Sequence, residues 1–224
     1  MIVRFYWSIA CLGMAITPAA HAQIVGYDFF GAAGNQLSTS ATLLASNLTA
    51  GAISRGAGIS ADTLTNSINA RAFVTGGFDP TRTDYYTFTI TPNAGYQLNL
   101  NQVSIVAPVG SAGPTSLTLY NATGGAVLGT ALALTQGATT SASYTFSLTT
   151  AAAIELRLYG TNASNNGANS QLGFLSTAAG KYGVAIGGSV TPVPEAQTYA
   201  FAGIGLGLVG FGYLRRRQAA AIAI

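Results

Sequence analysis

Acid–base, nucleophilic and metal chemistry draw first on carboxylates, imidazole and thiol, and this chain is poor in all three. Its 224 residues carry six carboxylates, one histidine and one cysteine. Cys11 and His21 both fall in residues 1–22, which read as a removable leader. Beyond it there is no imidazole for a Ser-His-Asp site, and no Cys or His ligand for zinc. Asp28, Asp62, Asp79, Asp84 and Glu155 remain before the C-terminal segment. Glycoside hydrolysis needs two facing carboxylates, and Asp79 and Asp84, which flank Pro80-Thr81-Arg82-Thr83, are the pair that could approach. Their simpler reading is a capped turn neutralised by Arg82. With loop carbonyls the same two acids would be calcium donors, but no Asp-x-Asp loop is present. Gly56-Ala57-Gly58 lacks the Lys and following helix of a phosphate loop and reads as a turn. No catalytic residue, metal ligand or cofactor site is assigned. Aromatic side chains are what is left: Tyr85, Tyr120 and Tyr159 are candidates for stacking on the CH faces of a sugar. The one tryptophan, Trp7, belongs to the leader.

Charge excludes a second class. The formal charge of +3 arises wholly at the ends. Between Gln23 and Pro192, Arg55, Arg71, Arg82, Arg157 and Lys181 face an equal number of acids. A neutral body without a clustered basic surface does not point to nucleic acid.

The two ends carry addresses. Met1–Ala22 has one positive residue, Arg4, an apolar stretch Phe5–Ile16, and the breaker Thr17-Pro18. Ala20-His21-Ala22 satisfies the small-x-small rule of signal peptidase, which places the mature start at Gln23. Cys11 is not a lipobox cysteine, because Ser8-Ile9-Ala10 is a poor match and sits too near the start. At the other end come Val193-Pro194-Glu195, then an uncharged run from Ala196 to Leu214, then Arg215, Arg216 and Arg217, then the tail Gln218–Ile224. A helix over 196–214, about 19 residues, just crosses a hydrocarbon core of ~30 Å. The arginines resist translocation and stay cytoplasmic. Within the span, Gly203-x-x-x-Gly207 matches a close-packing pattern between membrane helices.

The order Pro-Glu, span, arginine cluster resembles the PEP-CTERM sorting signal of exported bacterial proteins. Val193, Pro194, Glu195, Thr198, Tyr199 and Ala200 match that motif in type and spacing. Ala196 stands where a second proline is usual, and the tail after the arginines is longer than in most such signals. The resemblance implies a membrane-embedded exosortase that cuts near Pro194-Glu195. It implies a protein held first at the inner membrane facing the periplasm, and then at the cell surface or in the extracellular matrix.

Between these ends, apolar residues recur with period two. Ile24–Phe30 opens as a strand, and Ala50–Ile59 enters a Gly-rich turn. Asp62–Asn66 reads as loop, and Ile68–Phe73 as a short strand. Asp84–Thr91 alternates cleanly, with Tyr86, Phe88 and Ile90 on one face. Tyr96–Val106 buries Leu98, Leu100, Val103 and Ile105, and a turn or bulge near Asn101-Gln102 shifts the phase. Ser116–Tyr120, Ala126–Leu134, Ser143–Leu148, Ala153–Tyr159 and Lys181–Val190 complete nine or ten strands, with Gly160–Asn169 a polar loop. There is no internal repeat and no linker. The pattern predicts one all-β domain over residues 23–192, an antiparallel β-sandwich or barrel, of which the sandwich is the expectation.

Several pieces resemble the uncharacterised jelly-roll ectodomain of other proteins with this C-terminal signal. They are Tyr27-Asp28-Phe29, Ser54-Arg55-Gly56, Asn66–Ala70, Pro92–Tyr96, Gly113–Ser116 and Arg157–Gly160. Tyr120-Asn121 and the closing strand depart from that group, so the resemblance bears on fold and not on a shared ligand. The expectation is a non-enzymatic surface or matrix protein with a structural or interaction role. Its partners would be signal peptidase and an exosortase-like membrane protease. A carbohydrate-binding module associated with exopolysaccharide is the alternative, and a hydrolase is a distant third.

Overall fold

The computed structural model describes residues 22–193. Ala20, Pro194, Glu195, the expected span and Arg215–Arg217 lie outside the described residues, as does the tail. All regular structure among the described residues is β, in seventeen strands, many of only two or three residues. Fewer strands are legible in the sequence because a two-residue strand leaves no periodicity to read.

In chain order the strands are β1 (Gln23–Tyr27), β2 (Ala33–Gly34), β3 (Ser38–Thr39), β4 (Leu43–Leu44), β5 (Leu48–Ala50) and β6 (Ile53–Arg55). Then come β7 (Ser60–Asp62), β8 (Ser67–Arg71), β9 (Tyr85–Pro92), β10 (Tyr96–Pro108), β11 (Ser116–Asn121) and β12 (Ala126–Val127). The last are β13 (Leu132–Ala133), β14 (Thr139–Thr150), β15 (Ile154–Thr161), β16 (Leu172–Leu175) and β17 (Val184–Pro192). They form three sheets. The first runs β14-β10-β17-β1-β4. The second runs β12-β11-β15-β9-β6-β3, with β13 on β11 and β5 on β9. The third runs β16-β8-β2, with β7 on β8. All pairings are antiparallel except β2 with β8.

Alternation is what fixes the faces. In β9, Tyr86, Phe88 and Ile90 are buried while Tyr85, Thr87 and Thr89 are half-buried on the other side. β10 buries Leu98, Leu100, Val103, Ile105 and Ala107, and its register shifts between Leu100 and Gln102 against both neighbours. The bulge keeps the apolar side inward on both halves of a strand whose sequence changes phase.

The first two sheets meet over one core, as in a sandwich. The Tyr27 and Phe88 rings lie 5.4 Å apart across it, and Tyr144 Oη donates to the Leu117 carbonyl at 2.7 Å. The third sheet closes one end. Phe174 packs edge-on against Tyr86 at 4.9 Å, and Tyr86 Oη donates to the Leu172 carbonyl at 2.6 Å. Burial pushes the hydroxyls of Tyr27, Tyr86 and Tyr144 well above the ordinary phenol range, at Tyr86 against the opposing pull of Arg55. Arg55 ties the second sheet to the third. Its guanidinium donates to the carbonyls of Asn69 (2.8 Å), Gln36 (2.6 Å) and Gly34.

Several boundaries differ from the expected ones. Asp62 ends a strand, because Ser60–Asp62 pairs with β8. Residues 126–134 form two short strands flanking a turn. β16, between the Gly160–Asn169 loop and the strand expected from Lys181, escapes the pattern because Gly173 interrupts it. β17 starts at Val184, since Lys181 and Tyr182 belong to the preceding loop, and it runs on through Pro192.

Candidate functional site

The second sheet brings together the three tyrosines that the sequence singles out separately. Tyr159 on β15 pairs with Tyr85 on β9 and with Thr118 on β11, and Tyr120 on β11 pairs with Arg157 on β15. Directly opposed residues share a face. Since Tyr86, Leu158 and Leu119 point into the core, Tyr85, Arg157, Tyr159 and Tyr120 stand on the outer face. Ring centroids lie 5.1 Å apart for Tyr85 and Tyr159, and 6.1 Å for Tyr120 and Tyr159.

Residues 74–83 fold over this face. The breaker Gly76-Gly77-Phe78-Asp79-Pro80 sets Phe78 edge-on to Tyr159 at 5.2 Å and against Tyr120 at 5.6 Å. Tyr159 Oη donates to the Pro80 carbonyl at 3.1 Å. As a result Tyr159 is only 1% exposed, which corrects its expected place as a free sugar contact. Burial also raises its hydroxyl pKa. Tyr85, Tyr120 and Phe78 are half-buried and form the accessible part of the cluster.

An ion pair sits beside the rings. Arg157 Nε donates to Glu155 Oε1 at 2.7 Å, and Thr87 Oγ1 donates to the same oxygen at 3.0 Å. The Arg157 guanidinium carbon lies 4.4 Å over the Tyr85 ring. The bond to Arg157 holds the Glu155 carboxyl below its usual range, and the same bond raises Arg157. Glu155 is therefore fixed as an anion and is a poor proton donor. The patch as a whole is neutral, aromatic and edged by hydrogen-bonding groups. Exposed ring faces bordered by hydrogen-bonding groups are the chemistry on which the CH faces of a sugar can stack.

Of the two acids read as a capped turn, Asp79 behaves as one. Asp79 Oδ1 accepts from Thr81 N at 2.9 Å and Thr81 Oγ1 at 2.7 Å, and Arg82 Nε stands 3.8 Å from Oδ2. These bonds, first those from Thr81, lower its pKa. Asp84 is different. It is 3% exposed, burial raises its pKa, and its Oδ2 has no hydrogen-bond partner. Among the described residues no group of three or more His, Cys, Asp or Glu is placed to hold a metal.

Three sorting residues are described. Gln23 is exposed at the start of β1, and the Ala22 carbonyl accepts from Gly188 N at 2.9 Å. Val193 N donates to the Gly95 carbonyl at 2.8 Å, directly after the Pro192–Tyr96 pair that ends β17. Gln23 pairs antiparallel with Gly187 in the middle of the same strand, so the chain before Gln23 and the chain after Pro192 run off in the same direction along the first sheet. A cleft of about 320 Å³ lies elsewhere, lined by Gln23, Val106, Leu175, Thr177, Lys181 and Tyr182, and it does not touch the aromatic cluster.

Phe78 and Arg157 were not singled out in the sequence. Phe78 sits in a turn, and only the β11–β15 and β15–β9 registers show that Arg157 neighbours two tyrosines. Compared with protein-family models, curated proteins and solved structures, the chain matches none.

Proposed function

We propose that this chain is an exported bacterial surface or matrix protein. It is delivered by an N-terminal signal peptide ending at Ala22, tethered by one helix over residues 196–214, and processed near Val193-Pro194-Glu195. Its role is structural or one of interaction, and its β-sandwich-like body is of jelly-roll type. The observation that carries this reading is the order of Pro-Glu, uncharged span and arginine cluster after a neutral, charge-poor body. The shared direction in which the two described ends run off the first sheet is compatible with it, since leader and span then point the same way from the body. Glu195→Ala tests the processing. In the native host the variant is expected to accumulate as a longer, membrane-bound form. Equal size and equal fractionation of variant and wild type would reduce the segment to a plain anchor.

The aromatic cluster favours a second reading, a carbohydrate-binding module that holds exopolysaccharide. Phe78, Tyr85 and Tyr120 would supply ring faces, and Arg157 and Glu155 the polar edge. A glycan array with wild type and Tyr120→Ala decides it. Binding lost in the variant supports the module, and no binding by either protein removes it.

A further inference from the structure

Removal of the leader after Ala22 would create a new chain end at Gln23, and the fold fixes where that end stands. Gln23 opens β1, an inner strand of the first sheet that lies between β17 and β4. Its backbone is held, because it pairs with Gly187 on β17. Its side chain is not: Gln23 is exposed, and among the described residues its amide makes no hydrogen bond. It borders the cleft of about 320 Å³. The next two residues, Ile24 and Val25, are 3% and 0% exposed. The end is therefore pinned at the rim of the core, with a glutamine side chain left free beside the α-nitrogen.

Cleavage changes what the α-nitrogen of Gln23 presents to its surroundings. In the uncut chain the Ala22 carbonyl accepts from Gly188 N at 2.9 Å. Cutting removes that acceptor and leaves an α-ammonium, which offers only donors to the Gly188 amide. The cleft it borders already has a cation, since Lys181 is its one charged lining residue. Asp28 reaches the wall of that cleft at Gly180, but its oxygens are engaged by the amides of Phe30 at 2.9 Å and Gly180 at 2.6 Å. The new ammonium thus meets a donor and shares its cleft with a like charge.

We propose that Gln23 is a modification site, closed to pyroglutamate in the exported protein, an inference that rests on the proposed leader cleavage. The neutral α-amine attacks the side-chain carbonyl carbon, Cδ. The N–Cδ bond forms, the Cδ–Nε2 bond breaks, and Nε2 takes up the proton that the amine gives up and leaves as ammonia. No oxidant, reductant or cofactor takes part. Part of any α-amine is unprotonated at neutral pH, and attack within one residue carries a high effective concentration. The lactam keeps the N–H and the C=O of Gln23, so the pairing with Gly187 is retained. It carries no charge, so residues 23–192 keep equal numbers of positive and negative groups. A closed end also has no α-amine for an aminopeptidase to grip.

The test uses the exported chain from the native host beside Gln23→Asn, whose side chain is one carbon too short for a five-membered lactam. Tandem mass spectrometry, which reads through a closed terminus, sequences the N-terminal peptide. The wild-type peptide is expected to start at residue 23 and to be lighter by one ammonia than the same peptide with free glutamine. A heavy-isotope synthetic copy with free N-terminal glutamine, added before digestion, measures ring closure during handling. Amine labelling of the intact protein is an independent readout. Lys181 is the one lysine of the chain, so the wild type should label once and Gln23→Asn twice. A peptide that begins at Gln23 and is no more closed than the synthetic copy overturns the proposal and leaves the leader reading standing. So does equal labelling of the two proteins. A peptide that begins at any other residue overturns both.

Discussion

Arg55 shows how much one side chain can hold. Its guanidinium gathers β8, β2 and the loop that follows β2, through the carbonyls of Asn69, Gly34 and Gln36. A planar fork serves several acceptors at fixed angles, and an ammonium does not. Arg55→Met would leave those carbonyls short of donors, at a cost of about 3 kcal/mol. Arg55→Lys should recover only part of that loss. Chemical denaturation of the three proteins checks the order, and equal midpoints would refute it. Asp84 is the opposite case. Its carboxyl is buried, one oxygen is unpartnered, and desolvation raises its pKa. The folded state therefore binds this proton more tightly than the unfolded state. The stability it contributes is present below the ordinary carboxylate range and is lost as pH rises through the raised value. Asp28, Asp79 and Glu155 have lowered values and slope the other way. The difference between Asp84→Asn and wild type isolates the Asp84 contribution. The variant is expected to gain in Tm over wild type at pH 7 and to lose that gain near pH 3. A pH-independent difference would show that Asp84 ionisation does not matter.

At the level of elements, residues 74–83 act as a cover. The second sheet turns four large outward side chains toward solvent, and Phe78 with Pro80 closes over Tyr159. Phe78→Ala should cost about 2 kcal/mol for a partly buried ring. It should also make Tyr159 reactive to nitration, which is 1% exposed in the wild type. Peptide mapping after nitration reads this directly, and an unmodified Tyr159 in the variant would mean that the cover does not depend on Phe78. A pure packing role and a sugar-binding role for this cluster differ at Tyr120. Tyr120→Ala is expected to abolish glycan retention with a smaller stability loss than Phe78→Ala, since Tyr159 keeps its lid.

At the scale of the whole molecule, orientation follows from where the ends leave. Gln23 pairs with Gly187, and Pro192 pairs with Tyr96 beside the Asn93–Gly95 turn. If residues 196–214 span a bilayer, that turn lies close to the lipid. Ser164, whose amide bonds the Ala112 carbonyl beyond the far end of β10, lies away from it. Single cysteines at Asn93 and Ser164, labelled with a fluorophore in vesicles that carry headgroup quenchers, should show stronger quenching at Asn93. Equal quenching would mean that the body lies flat or is not anchored. N-terminal sequencing of the exported protein should begin at Gln23, and an intact Met1 would defeat the leader assignment.

The sequence by itself determined what is local and periodic. Alternation in Tyr85–Pro92 set its buried face, and the phase slip after Leu100 announced an irregularity, turn or bulge, that the structure resolves as a bulge. The Asp79–Arg82 turn was legible because a capped turn is written within a few residues. The ends, if they act as proposed, are legible for the same reason, since leader and span are read from composition and order alone. Tertiary structure decided everything that depends on which strands become neighbours. Nothing in the spacing of Tyr85, Tyr120 and Tyr159 says that β9, β15 and β11 lie side by side, or that a turn at Phe78 buries one of the three. Strands of two residues and the interrupted β16 exist only because partners elsewhere supply their hydrogen bonds. Pairing in a sheet joins residues far apart along the chain, and no window of sequence contains both partners.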